Sequence, residues 1–347
     1  MLAKGTIISG YRIDGILGEG GMGVVYRATQ LSLNRTVALK ILASELSADD
    51  AFRERFRREG LLQAAIDHDH IVTVYEAGDS EHGLFLAMRL IRGPTLKDMI
   101  LARELDPGRG LGILRQVAGA LDGAHEVGLT HRDIKPQNIL IGSDDHAYLA
   151  DFGLTQAGDQ ASLTETGQFI GTIDYVAPEQ IQGEPATAHS DVYSLTAVLF
   201  ESLTGVVPYA KPNEPAVLYA HISEPPPRVT ERRSDLPASL DDVVARGMAK
   251  LPSDRFDSAS ELVAEALEAF GTGPAVVTPP GPLESAEEAG LRELEGEDDA
   301  PPGGSILPDT ARAAERTVTR RTRPAPGPAA PTTARAGGAA AAPAAGA

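Results

Sequence analysis

Hydrophobic and polar positions change their period along the chain. "YRIDGILG" and "VVYRATQ" flank a glycine turn with β-rich patterns, and "RTVALKIL" follows after "LSLN", so each predicts a strand. "IVTVYEAGDSEHGLFLAMRLI" predicts another strand, a turn around Asp79 to Gly83, and a final strand. Between them, "ADDAFRERFRREGLLQAAI" places Phe52, Phe56, Glu59, Gln63 and Ile66 on a single helical stripe. From Leu111 onward helical patterns dominate, including "ILRQVAGALDGAHEVG" and "SDVYSLTAVLFESLTG". The second is apolar on nearly every face, as a helix enclosed on all sides must be. Strands first and helices later predict an α+β chain, with a small β lobe joined to a larger helical lobe.

The pattern stops at Phe270, the last aromatic residue of 347. From Gly271 to Ala347 aromatics are absent and about half of the 25 prolines are found. A segment with so little apolar surface cannot offset its ordering entropy, which predicts a disordered tail over 271–347. Within it, "SAEEAGLRELEG" could form a short helix, "ERTVTRRTRP" is basic and threonine-rich, and "ARAGGAAAAPAAGA" is low complexity. The net charge of −18 argues against a nucleic-acid partner. The lack of cysteine excludes disulfides and thiolate metal sites and fits a reducing compartment. "MLAKGTIISGYRID" lacks the apolar run of a signal peptide, and no window of the given chain is long and apolar enough to predict a membrane span.

The candidate chemistry lies where these patterns break. "GEGGMG", Gly18 to Gly23, matches G-x-G-x-x-G, but a β-rich run rather than a helix follows it. That excludes the dinucleotide-binding arrangement and leaves a hairpin whose backbone N–H groups can approach phosphates. Lys40 in "VALK" shares a strand face with Ala38; it either points outward into solvent or reaches the same cavity as a phosphate partner. Glu59 lies on the phenylalanine stripe and Glu54 does not, so Glu59 either sits at the stripe's edge in water or needs a buried partner, for which Lys40 is the economical choice. "HRDIKPQN", residues 131 to 138, groups an aspartate, a lysine and an asparagine, and "LADFGL" places Asp151 after a short strand.

In order, "GEGGMGVVY", "VALK", "FRREG", "HRDIKPQN", "DFG", "GTIDYVAPEQ", "SDVYSLTAVLFE" and "DRF" resemble the eukaryotic-type protein kinase family, specifically its bacterial (Hanks-type) Ser/Thr kinases such as the actinobacterial transmembrane-sensor kinases. The resemblance implies a bilobal kinase fold: an extension over 1–10, a kinase domain over 11–270 with lobes at about 11–90 and 91–270, then the tail. It implies ATP and Mg²⁺ (or Mn²⁺) as cofactors, and Ser/Thr hydroxyls of proteins as acceptors. Asp133 would accept or orient the hydroxyl proton and Lys135 would neutralise charge on the transferring phosphoryl group, while Asn138 and Asp151 would hold the metal. Gly18, Glu19, Gly20, Gly21, Met22, Gly23 and Val24 would close over the nucleotide, and Lys40 would hold its phosphates and pair with Glu59. Leu17, Val25 and Ala38 would sandwich the adenine, with Met88 behind it and the Arg89–Ile91 backbone as hinge.

Other positions carry structural expectations from the same resemblance. His131 and Phe152 pack behind the site, Asp191 caps the catalytic loop, and Glu179 pairs with Arg255. Thr196 stands where glycine is usual, His70 where a small residue or proline is usual, Arg89 at an often acidic hinge position, and Gln137 where basophilic members carry glutamate. Gln137 implies no strong demand for an upstream arginine in the substrate. Arg132 reads as an unpaired charge until a phosphate on Thr164 or Thr166 docks against it, whereas Thr172 braces Asp133 and Lys135. Thr317, Thr319 and Thr322 are weaker phosphosite candidates. An N-lobe-mediated homodimer would serve trans-autophosphorylation. The expected compartment is the cytoplasm, or the cytoplasmic membrane face if the natural chain continues into a membrane helix. The rival classes are a small-molecule phosphotransferase, a pseudokinase scaffold, and an interaction protein acting through its tail. The first would lack "GTIDYVAPEQ", the second would have lost Lys40, Asp133 or Asp151, and the third would need none of these residues.

Overall fold

The computed structural model describes residues 1–20, 23–43, 50–152 and 173–271. Gly21, Met22, Thr164, Thr166, Thr172 and the tail from residue 272 on, with its proposed short helix and basic threonines, lie outside the described residues. The N-terminal half of the fold is a six-stranded antiparallel sheet in the order β1-β2-β3-β4-β6-β5. Its strands are β1 (Ile7–Ile8), β2 (Tyr11–Gly20), β3 (Gly23–Gln30), β4 (Arg35–Leu42), β5 (Val74–Ser80) and β6 (Gly83–Arg89). Within the N-terminal extension, the short strand β1 pairs with β2: Ile7 faces Arg12 and Ile8 faces Tyr11, and Ile8 is buried. Helix α1 (Asp50–Ala65) packs on β5.

Alternation of side chains divides this sheet into two faces. Tyr11, Ile13, Tyr26, Val37, Leu39, Ile41, Phe85 and Ala87 fill one core. Ala38, Leu86 and Met88 fill the other, together with Phe52 and Phe56 of α1. Register places Val25 opposite Lys40 and Ala38 opposite Met88, so the residues expected around a nucleotide share the second face. Gly23 is required where it stands. Its φ is +140°, and an added Cβ would lie 2.1 Å from the Ile41 carbonyl oxygen.

The second half is helical: α2 (Leu96–Ala102), α3 (Pro107–Glu126), α4 (Pro178–Ile181), α5 (Ala188–Thr204), α6 (Glu214–Ser223), α7 (Ser239–Gly247) and α8 (Ala259–Gly271). A two-stranded ribbon, β7 (Ile139–Ile141) and β8 (Ala147–Leu149), pairs beside it. Helix α3 begins earlier than its apolar pattern, because Asp106 accepts from the Arg109 N–H and Pro107 occupies the first turn. Every residue of α5 from Ser190 to Leu203 is buried, as its pattern predicted.

Thr196 bonds within that central helix, donating from Oγ1 to the Val192 carbonyl one turn earlier at 2.7 Å. Its bulk is accommodated by Gly247 on α7, where a Cβ would meet Thr196 Oγ1 at 2.3 Å and Cγ2 at 2.8 Å. Gly247→Ala should therefore destabilise the fold by about 1–3 kcal/mol through overpacking, and adding Thr196→Ala should recover a large part of that loss. Urea unfolding of the two single variants and the double variant measures the coupling. A Gly247→Ala midpoint equal to the wild type would show that this contact does not constrain the packing.

Candidate active site

The site is assembled where the sheet meets the helical half. The loop 131–138 is held from below by Asp191 of α5. Its carboxylate accepts from the backbone N–H of His131 at 2.7 Å and of Arg132 at 2.8 Å, and from His125 Nε2 at 2.8 Å. The cap expected of Asp191 is thus present, with His125 as an added partner. His131 is fully buried; its Nε2 donates to the Ala150 carbonyl at 3.0 Å, and its ring packs on Phe152 at 4.6 Å. Burial holds the His131 imidazole below its ordinary pKa, which fits a neutral ring whose Nδ1 accepts from the Asp133 N–H.

Above this base, three side chains converge. Lys135 Nζ lies 2.7 Å from Asp133 Oδ2, and Asn138 Nδ2 donates to the Asp133 carbonyl at 2.8 Å and to Oδ2 at 3.2 Å. The 3-10 turn Pro136–Asn138 folds Asn138 back over Asp133, which is why five residues separate them in the sequence. With Nδ2 so engaged, the amide oxygen of Asn138 is the atom left to face a cation. Asp151 adds a carboxylate in a left-handed backbone conformation, φ +58°. An amide oxygen and a carboxylate are hard donors that suit Mg²⁺ or Mn²⁺, so the donor set fits the implied metal.

Lys40 is turned away from bulk solvent, at 16% side-chain exposure, and its Nζ lies 2.9 Å from Asp151 Oδ1. Its expected pairing with Glu59 is not what the structure contains. Glu59 is buried, as its stripe required, but its Oε1 accepts from Arg132 Nη1 at 2.9 Å. Arg132 is therefore also not the unpaired charge expected of it. The physical demand was met by different partners. A buried carboxylate needs a cation, and Arg132, at φ +68°, turns its guanidinium toward α1. Lys40 then takes the remaining carboxylate, Asp151.

The residues expected around a nucleotide fall where the register places them. Ala38 and Met88 are buried in one cluster with half-buried Val25, Leu17 is exposed, and β6 ends at Arg89, where the hinge was expected. Leu140 joins the same cluster from β7 and was missed in the sequence. The signal was available, because Ile139 and Ile141 are buried in the helical core and period 2 turns Leu140 to the other side. Gln180 was also missed; its Nε2 donates to the Arg132 carbonyl at 3.0 Å. Glu179 and Arg255 pair as expected, at 2.7 and 2.8 Å.

A carboxylate and an amide oxygen suited to a divalent cation, a half-buried lysine on the sheet and an aspartate–lysine pair on a capped loop thus lie together where the sheet meets the helical half. The chain belongs to the protein kinase family: the family's model, a protein kinase domain, matches residues 11–267. It is 42% identical over 270 residues to the serine/threonine-protein kinase PknE of Mycobacterium tuberculosis, an alignment covering 78% of this chain and 48% of that protein. It is 42% identical to PknH of Mycobacterium bovis, covering 77% of this chain and 45% of that one. The chain thus spans about half the length of these relatives or less. Among solved structures, the kinase domain of Mycobacterium tuberculosis PknI is similar, with 33% identity and a TM-score of 0.64, covering 78% of this chain and 100% of that one. Among the described residues no helix is long and apolar enough to cross a membrane.

Proposed function

We propose that this protein transfers the γ-phosphate of ATP to serine and threonine hydroxyls of protein substrates, acting in the cytoplasm. The observation that carries the reading is the convergence of Asp133, Lys135 and Asn138 within hydrogen-bond distance on one capped loop. Asp133 orients the acceptor hydroxyl and takes its proton as the new P–O bond forms. Lys135, 2.7 Å away, balances negative charge on the group in transfer. Phosphoryl transfer needs positioning and charge stabilisation more than covalent help, and these side chains supply both. Asn138 and Asp151 would hold a divalent cation, whose contribution is to neutralise charge across the ATP phosphates. Glycines 18, 20 and 23 let the β2–β3 hairpin approach those phosphates, and Val25, Ala38, Met88 and Leu140 offer an apolar slot for the base. Incubation with radiolabelled ATP, a generic protein acceptor and, separately, an aminoglycoside tests the assignment. Label in protein supports it, and label only in the aminoglycoside points to a small-molecule phosphotransferase.

Regulation follows from the exchanged ion pairs. Catalysis needs Lys40 on the nucleotide and Asp151 on the metal, yet here the two are paired with each other. Glu59, the carboxylate that could position Lys40, is held by Arg132. The present seating of α1 also leaves Gln63 Oε1 buried with no partner among the described residues. A phosphate on Thr164 or Thr166 carries about −1.5 to −2 charge and would outcompete a single carboxylate for Arg132. Glu59 is then released to Lys40, and Asp151 to the metal. A homodimer through the N-lobe would let one copy modify the other. Mass spectrometry of the wild type against Asp133→Asn should show loop phosphate only in the wild type, and Thr164→Ala/Thr166→Ala should lose activity. Unmodified loop threonines in fully active enzyme would remove this mechanism.

A further inference from the structure

The two residues suited to a metal flank one ribbon. Asn138 stands immediately before β7 and Asp151 two residues after β8, so the seating of the ribbon sets how they face each other. The far end of the ribbon, the turn from Gly142 to His146, is held in an unusual backbone conformation. Asp144 and Asp145 both have φ +55°, which is uncommon outside glycine. Helix α3 fixes them there. Arg109 donates from Nε and Nη2 to the Asp145 carboxylate at 2.9 and 2.7 Å, and Gln116 Nε2 donates to the Asp145 carbonyl at 2.9 Å. The residue that these constraints deliver is His146.

His146 meets His70, in the loop that follows α1, through a reciprocal clasp. His70 Nδ1 donates to the Ala147 carbonyl at 3.0 Å, and His146 Nε2 donates to the Asp69 carbonyl at 3.0 Å. Carbonyls only accept, so each of these nitrogens carries a hydrogen and the neutral ring keeps its lone pair on the other. The two rings pack 4.4 Å apart between centroids. His68 extends the stack, 5.7 Å from His70, and its Nδ1 accepts from the His70 backbone N–H at 3.1 Å. Its ring lies on α3, where a Cβ at Gly123 would be 3.3 Å from His68 Cδ2. On the other side Tyr148 packs 4.6 Å from His146, and the Arg89 guanidinium lies 5.0 Å over Tyr148. Backbone bonds join the same loop to β8: the Leu149 N–H donates to the His70 carbonyl at 2.8 Å and the Val72 N–H to the Leu149 carbonyl at 2.9 Å.

We propose that His70 and His146 are positioning residues for phosphoryl transfer: they form an acid-opened clasp that holds the loop after α1 on the ribbon carrying Asn138 and Asp151. This rests on the kinase reading above and adds to it a pH dependence seated outside the catalytic loop. Histidine changes charge between about pH 5 and 8. A proton on His68 Nδ1 removes the acceptor used by the His70 N–H, and protons on both His70 and His146 put like charges in rings 4.4 Å apart. Among the described residues, little nearby offsets that repulsion. Asp145 is engaged by Arg109, Arg89 adds positive charge beyond Tyr148, and Asp67, Asp69 and Asp144 are exposed, where salt and water screen them. The closed clasp therefore binds fewer protons than the opened one, and falling pH opens it. His70 replaces the small residue or proline expected at its position, so the clasp belongs to this chain rather than to the fold.

Urea unfolding between about pH 8 and 5 tests the clasp without reference to activity. His70→Asn and His146→Gln keep an amide N–H for the same carbonyls but cannot take up a proton. For each proton that the closed clasp excludes, the wild-type unfolding constant should rise about ten-fold more per unit fall in pH than that of His70→Asn/His146→Gln. His131 and His221 are buried in both proteins, so their share of the acid sensitivity cancels. His146→Gln alone, which removes one of the two stacked charges, should flatten the slope as well and decides the question if the double variant does not fold. Equal slopes in wild type and variants overturn the clasp. Positioning is read from kcat with radiolabelled ATP over the same range. The ratio of double-variant to wild-type kcat should rise toward acid, by up to about ten-fold per pH unit for one linked proton. A flattened unfolding slope with a pH-independent rate ratio overturns the positioning role. Absence of label transfer at every pH would refute the kinase reading and the positioning role with it, while the unfolding comparison still decides the clasp.

Discussion

Asp133→Asn should lower phosphoryl transfer by roughly 10²–10⁴-fold, the usual contribution of a positioned general base, while leaving the melting curve unchanged. Asparagine keeps the shape of the side chain and can still accept from Lys135 and Asn138, whose nitrogens lie 2.7 and 3.2 Å from Oδ2. It cannot take a proton from the acceptor hydroxyl. The loop itself is held by other atoms, chiefly the Asp191 carboxylate on the backbone of His131 and Arg132. Lys40→Met should be comparably inactive for a different reason, since it removes the ammonium that would hold the ATP phosphates. Initial rates with radiolabelled ATP, set beside thermal melts, check both. Wild-type kcat in either variant with an unchanged melt would show that its assigned role is wrong.

Glu179→Gln should instead cost about 3–5 kcal/mol of stability, because it leaves a buried guanidinium without its counter-charge. The Arg255 side chain is fully buried, and its two terminal nitrogens reach the two Glu179 oxygens. Its remaining donors are spent on the carbonyls of Ala249, Lys250 and His189, so the guanidinium cannot turn to water. Burial acts to raise the Glu179 carboxyl, but Arg255 and the Ser190 hydroxyl outweigh it and hold the group below the ordinary glutamate value. A depressed folded-state pKa gives stability that is complete above the unfolded value and is lost as pH falls through the folded one. The gap between wild type and Glu179→Gln should therefore be full at neutral pH and shrink in acid. Urea unfolding over that pH range measures it, and a gap that is small at neutrality or independent of pH would contradict the assignment.

Much of this molecule was legible in its sequence, and the reasons differ by element. The strands around Lys40 followed from alternation, and the enclosure of α5 followed from an apolar pattern on every face, since burial leaves no polar positions to choose. The carboxylate–guanidinium pair Glu179–Arg255 was also legible, although its partners are 76 residues apart. Both sit in motifs whose family order places them together. Strand β1 was not legible, because two isoleucines are too short a run to show a period. Helix α2 was hidden for the same reason. Its seven residues bury only Leu96, Met99 and Ile100, and its Thr95–Asp98 cap is a signal that many turns share.

The exchanged ion pairs mark where sequence reasoning ends. The stripe on α1 established that Glu59 is buried, and elementary electrostatics established that a buried carboxylate must have a cation. Which cation it takes is a matter of distance, and Lys40 and Arg132 both qualify by charge. Tertiary structure decided it through two left-handed backbone positions, Arg132 at φ +68° and Asp151 at φ +58°. These aim one guanidinium at α1 and one carboxylate at the sheet. The same holds for Lys97 and Glu201, an ion pair whose members are 104 residues apart and have no pattern linking them. The sequence by itself determined which charges this protein must bury, because burial follows from local periodicity. Only the tertiary structure decided how those charges are paired, because Coulomb energy depends on separations that no local pattern encodes.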